Sequence, residues 1–210
     1  MSHAIARKGG NDFEIAPAGL YIARCFRVLY IGTQPKIFKG IESGSAQKII
    51  VSWELLSDKL KRDDGSPFQI HQEYTLSINK RAKLAQHLEA WFGNNFDAEA
   101  KDDFDCETLL DKYCRMQVGH KTSESGNTYA VISALIGLED GDTKPKPYNT
   151  DVFFDVMEPD MDVFGSLSQY YRDQIEKAEE WTGRPGRNGL SPIPADEDLN
   201  GPIDLSGIPF

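Results

Sequence analysis

In the segment "FQIHQEYTLSI" (68–78), Phe68, Ile70, Tyr74, Leu76 and Ile78 share one phase, interrupted only by Gln72. Gln69, His71, Glu73, Thr75 and Ser77 fill the other. Such alternation puts one face of a strand in a core and the other in water. The same period marks "KIIVSWELL" (48–56), where Ile49, Val51, Trp53 and Leu55 are in phase. The stretch "GLYIARCFRVLYIG" (19–32) is rich in β-formers and bounded by glycines, yet Arg24 and Arg27 fall on opposite phases. That conflict predicts a bulge, or a strand long enough to serve two sheets. Two further strands are predicted at 113–120 and 127–138, joined by the short polar loop "KTSESG". Residues 33–47, "TQPKIFKGIESGSAQ", have the Gly, Ser and Pro content of a loop.

After the third strand the period changes from two to about 3.6. "NKRAKLAQHLEAWFG" opens on Asn79 as a helix N-cap and closes on Gly93. Leu84, Leu88, Trp91 and Phe92 form its apolar stripe, while Lys80, Arg81 and Lys83 read as its solvated face. Three strands, a helix and two strands is the chain order of the OB-fold, a five-stranded Greek-key barrel, although other small α/β domains share it. The expected fold is mainly β with helices. It comprises a flexible arm over 1–18, an OB-fold barrel over 19–138, and a segment over 139–181 holding a linker, an extra strand at 151–156 and a C-terminal helix. Residues 182–210 have too little apolar content to offset ordering entropy and read as a disordered acidic tail.

Charge adds a gradient to this layout. The net charge of −10 hides 13 Lys+Arg against 9 Asp+Glu over residues 1–90, and 4 against 13 over 147–210. A basic front can face phosphates, while the acidic rear cannot. The three cysteines lack Cys-x-x-Cys spacing and no histidines stand at His-x-x-x-His spacing, so neither a metal site nor a cofactor is expected. No run is long and apolar enough for a membrane span or a secretory leader, and three cysteines without a disulfide pattern suit reduced thiols in the cytoplasm. Catalysis is not expected either. The acidic clusters "DDFD" and "EPDMD" lack a Lys or His that would complete a nuclease site, and there is no phosphate loop or nucleophile elbow.

The chain ends "IDLSGIPF". A polar linker carrying Asp196, Glu197, Asp198 and Asp204 before an apolar tip of Ile208, Pro209 and Phe210 suits docking onto a basic partner surface with a pocket. This tip resembles the C-terminus of bacterial single-stranded DNA-binding proteins, whose acidic tails end in Ile-Pro-Phe; here Asp204-Leu205-Ser206-Gly207 replaces an unbroken acidic run. The body adds "LYIGTQ", "VSWELL", "EYTLSINKRAKLAQHLEAWFGNNF" and "NTYAVI", which over residues 17–138 look like phage-encoded OB-fold single-stranded DNA-binding proteins. The resemblance implies a protein of the bacterial host cytoplasm that coats single-stranded DNA without strong sequence preference during phage replication and recombination. It further implies that replication or recombination proteins dock on the tail. Similarity to T7-type phage proteins implies that the tail competes with DNA for the basic cleft. Self-association is left open.

In that reading aromatic rings stack on bases while cations track the backbone. The candidate stackers are Tyr30, Phe38, Trp53 and Phe68. The candidate phosphate contacts are Arg24, Arg27, Lys36, Lys39, Lys48, Lys61, Arg62, Arg115 and Lys121. Trp53 and Phe68 share a phase with core positions, which favours burial; Phe38 lies in a polar stretch and is the stronger candidate. The competing reading is an OB-like interaction module or virion component without DNA binding.

Overall fold

The alternating segments pair into one sheet. A computed structural model describes residues 14–38, 40–57, 59–93, 96–97, 102–123 and 126–181. Its strands are β1 (Gly19–Phe38), β2 (Ile41–Leu56), β3 (Gln69–Thr75), β4 (Tyr113–Thr122), β5 (Thr128–Ile136) and β6 (Val152–Asp155). Its helices are α1 (Lys83–Phe92), α2 (Met161–Ser166) and α3 (Gln169–Ile175), with a 3-10 turn at Cys106–Leu109. The strand order is β3-β2-β1-β4-β5, all antiparallel, with β6 parallel to β1.

The conflict between Arg24 and Arg27 resolves as a bulge. The register of β1 on β2 slips between Cys25 and Arg27. Cys25 and Val28 therefore serve one core while Leu29 and Ile31 serve a second on the opposite face. β1 also has two neighbours along its other edge, β4 beside Gly19–Arg24 and β6 beside Arg27–Tyr30.

Four expectations are corrected. The barrel is not closed: among the described residues no ladder joins β3 to β5. Residues 14–16 run at that gap instead, where the Ala16 carbonyl lies 2.8 Å from His120 Nε2. The loop predicted at 33–47 is mostly strand, because Thr33, Gln34 and Pro35 pair with Gln47, Ala46 and Ser45. Local composition reads as a loop there, and cross-strand pairing overrides it. Asn79 does not cap α1: its Oδ1 accepts from Arg81 N at 3.1 Å, closing a turn, and the helix starts only after Ala82. The single C-terminal helix is two, broken at Leu167, whose extended backbone (ψ 149) puts its side chain into the second core. The Asp160 carboxylate caps α2 by accepting from Asp162 N and Val163 N at 2.9 and 3.1 Å.

The first core lies between the curved sheet and α1. It gathers Ile49, Val51, Trp53 and Leu55 from β2, Ile70 and Tyr74 from β3, Met116 and Val118 from β4, and Leu84, Leu88 and Trp91 from α1. The three cysteines are buried free thiols, and burial raises the proton affinity of each, which makes them poor nucleophiles. α1 is tied to β3 by Tyr74 Oη and His87 Nδ1, 2.7 Å apart. Burial first, then the Lys83 charge, holds the His87 imidazole down at about 4 against an ordinary 6.5. Unfolded chains take up this proton as pH falls through 6.5, the folded protein only near 4. Stability is thus full above the higher value and declines toward the lower, by about 1–2 kcal/mol after discounting for the ring's partial exposure. Urea midpoints across this range check the slope, and His87→Gln should flatten it.

The second core covers the opposite face of β1 and β2. Residues 152–181 cross that face, burying Phe154, Val156, Leu167, Tyr171, Ile175, Ala178 and Trp181 against Leu29, Ile31 and Ile50. Each large apolar side chain so buried contributes about 2 kcal/mol. The far end is fastened at a tight approach. The Glu180 carboxylate accepts from Thr33 N at 2.7 Å and from Thr33 Oγ1, and Glu179 N donates to Thr33 O at 3.2 Å. Gly32 permits this with φ 72°, and a Cβ there would sit 2.6 Å from Glu180 Oε2 and 2.9 Å from Val156 Cγ1. Gly32→Ala combines left-handed strain with overpacking and is expected to cost at least about 2 kcal/mol. A thermal melt measures it, and limited proteolysis should show earlier cleavage within 152–181.

Candidate nucleic-acid interface

Most of the expected contacts have structural duties. Trp53 and Phe68 lie in the first core, 1% and 7% exposed, because both follow the buried phase of their strands. Arg24 is buried as well. Its guanidinium donates to Glu54 Oε1 and Asp111 Oδ1, each at 2.9 Å, and to Asp151 Oδ1, and it contacts the Asn149 carbonyl. Arg27 lies beneath α3, its Cζ 4.8 Å from the Phe26 ring centre and 4.9 Å from that of Tyr171. Arg115 pairs with Glu139 and, at 3.9 Å, with Asp142. Lys48 pairs with Glu73 at 3.1 Å and Arg62 with Glu14 at 3.4 Å. Tyr30 is half-buried beside the second core, where burial, Glu180 and Asp155 raise its phenol's proton affinity, a setting hostile to phosphate. Lys61 is exposed in a separate groove with Lys146 and Tyr148. Lys36 is exposed near the start of the β1–β2 turn. Lys39, the Phe38 side chain and the tail residues Asp196, Glu197, Asp198, Asp204, Ile208, Pro209 and Phe210 lie outside the described residues.

The outer face of β2 and β3, where an OB-type barrel would seat a ligand, is largely covered. Ile50 is in the second core, Ser52 Oγ lies 3.5 Å from Tyr171 Oη, and the His71 ring packs 5.5 Å from Tyr170 and 5.8 Å from Tyr171. What remains open is the seam between β3 and β5, a groove of about 520 Å³. Its floor is Ile70 and Ile132; its walls are Gln69, His71, Gln72 and Glu73 on one side and Thr128, Tyr129 and Val131 on the other. Glu14 and Ile15 line it, and Tyr170 of α3 overhangs it.

Three features give this groove its chemistry. Tyr129 and Tyr170 are 46% and 47% exposed, far more than packing requires of large rings. The His71 imidazole is held below its ordinary value by dehydration and then by Arg27, so it is neutral at neutral pH and offers a flat ring. Two cations stand next to lining residues. Lys83 Nζ donates to Gln72 Oε1 at 2.7 Å, and Lys121 stands opposite Tyr129 in the β4–β5 ladder. Dehydration, then the Lys121 charge, lowers the proton affinity of Lys83. No carboxylate pairs with either lysine among the described residues. Like charges held together without an anion between them favour a bound phosphate.

Of the groove's exposed rings and the cations beside it, Lys121 is among the contacts expected from sequence, whereas Tyr129, Tyr170, His71 and Lys83 are not. For Tyr129 the signal was weak, because its phase, shared with Val131, Ser133 and Leu135, is mixed. Tyr170 carried none, since its exposure depends on where α3 crosses the sheet. Among the described residues no His, Cys, Asp and Glu cluster could hold a metal ion, and no helix is long and apolar enough to cross a membrane. No protein-family model matches the chain, and no curated protein or solved structure is significantly similar to it.

Proposed function

We propose that the protein binds single-stranded DNA in the seam between β3 and β5, stacking bases on Tyr129, His71 and Tyr170 and holding phosphates on Lys83 and Lys121. The observation that carries this reading is a groove lined by three accessible rings, with two cations free of carboxylate partners next to its lining residues Gln72 and Tyr129. Every base has a π-face, so such a groove tolerates any sequence, while a duplex hides its bases from it. The order β3-β2-β1-β4-β5, with α1 between β3 and β4, supports reading the sheet as an OB-type barrel left open along this seam. A role in phage replication or recombination, and recruitment of partner proteins by the Ile-Pro-Phe tip, rest on the sequence resemblance alone.

Titration of a fluorescein-labelled oligothymidylate by anisotropy, at several salt concentrations and with a duplex control, tests the function. Strand-selective binding that weakens with salt is expected. The second reading, an interaction module or virion component, draws on the covered face of β2 and on the carboxylate partners of Arg24, Lys48, Arg62 and Arg115. Absence of binding at low salt would select it.

A further inference from the structure

The seam leads into a second concavity. A groove of about 550 Å³ is lined by Gln34, Pro35 and Lys36 of β1, Lys48 of β2, Glu73 of β3, and Gln174 and Lys177. Glu73 lines both grooves. Tyr170, Gln174 and Lys177 recur at helical spacing, so one stripe of α3 and the turn after it flanks the whole path. This second groove is lined by three lysines and one carboxylate. Lys48 is paired with Glu73 at 3.1 Å, whereas Lys177 donates only to Gln174 Oε1 at 3.4 Å and Lys36 is exposed. No carboxylate pairs with Lys36 or Lys177 among the described residues. The setting is unusual for this chain: residues 147–210 hold only 4 Lys+Arg against 13 Asp+Glu.

We infer that this second groove is a phosphate-binding continuation of the first, in which the C-terminal segment itself contributes a contact through Lys177. The inference rests on the proposed single-strand site. A strand seated on Tyr129, His71 and Tyr170 passes Glu73 and lays its following phosphates on Lys36 and Lys177, with Lys48 exchanging the Glu73 carboxylate for a phosphate oxygen. None of the seven lining residues carries an aromatic ring, so this part reads the backbone and not the bases. Glu73 works against occupancy, because it both holds Lys48 and repels the incoming phosphate.

The test compares oligothymidylates of about 4 and about 16 nucleotides, the short and long ends of the usual single-groove range, on full-length protein and on the double variant Lys36→Glu/Lys177→Glu. Both positions are exposed, so the fold should tolerate the change. The long oligonucleotide should lose about tenfold in affinity at low salt, with a shallower salt dependence, while the short one binds as before. Glu73→Gln should move the long-oligonucleotide affinity in the opposite direction. Wild-type affinity of the double variant for both lengths would overturn the inference and leave the first groove standing. Equal losses at both lengths would overturn it too, as a general field effect. Failure of the wild-type protein to bind either length would remove the first site and the second together.

Discussion

Replacing Arg24 with methionine is expected to lower unfolding free energy by about 3–5 kcal/mol and to leave the salt dependence of DNA binding untouched. The two halves of this result separate a buried hub from a phosphate contact. Glu54 is fully buried, and Arg24 is the cation that balances it. Without that cation Glu54 keeps hydrogen bonds from Tyr148 N, Asn149 N and Asn149 Nδ2, at 3.3, 2.9 and 2.6 Å. It has then lost its counter-charge inside the protein, where ionised groups are costly. Asp111 and Asp151 reach water and can be rehydrated. Adding Glu54→Gln should restore much of the loss, since the amide oxygen can still accept from Asn149 N and no charge remains to balance. Denaturant unfolding of the single and double variants measures both effects. Lys83→Ala supplies the contrast: it should change stability little and reduce the salt slope of single-strand binding by about 0.7.

The second large effect concerns binding. Each aromatic platform under a base is worth about 1–3 kcal/mol on single-stranded nucleic acid, so Tyr129→Ala/Tyr170→Ala should weaken oligothymidylate binding by roughly two orders of magnitude or more. Neither ring belongs to a core cluster, although Tyr170 lies 5.2 Å from Tyr171 and 5.5 Å from His71. A melting temperature near wild type is therefore expected, and circular dichroism checks it. Tyr170→Phe keeps the ring and should keep most of the affinity, which distinguishes stacking from a hydrogen bond of the phenol.

Elements with a strong period were legible in the sequence, and positions decided by tertiary contact were not. The alternation in 48–56 and 68–78 placed Trp53 and Phe68 on buried faces, and the structure keeps them there. The bulge near Arg27 could be inferred because Arg24 and Arg27 fall on opposite phases of one apolar strand, and the register slips between Cys25 and Arg27. By contrast, Pro35 and Ser45 look like a loop, and only their pairing across the hairpin makes them strand. Closure of the barrel was unreadable for a similar reason. Alternation says which face of β3 and β5 is wet, but not whether their edges meet. The site suffered most, because a sequence shows cations without their partners. Arg24 and Arg115 resemble phosphate contacts until Glu54 and Glu139 are seen beside them. Lys83 looked like a solvated helix residue, and it became a rim residue only through Gln72 and Lys121.

The measurement that bears most directly on the central claim is photocrosslinking of an iododeoxyuridine-substituted oligothymidylate to the full-length protein, with the modified peptides identified by mass spectrometry. Crosslinks at Tyr129, His71 or Tyr170, lost when unlabelled single strand competes and retained with duplex, are the predicted result. Crosslinks confined to the groove at Lys61, Lys146 and Tyr148, or none at concentrations that saturate a single-strand titration, would contradict a site in the seam between β3 and β5.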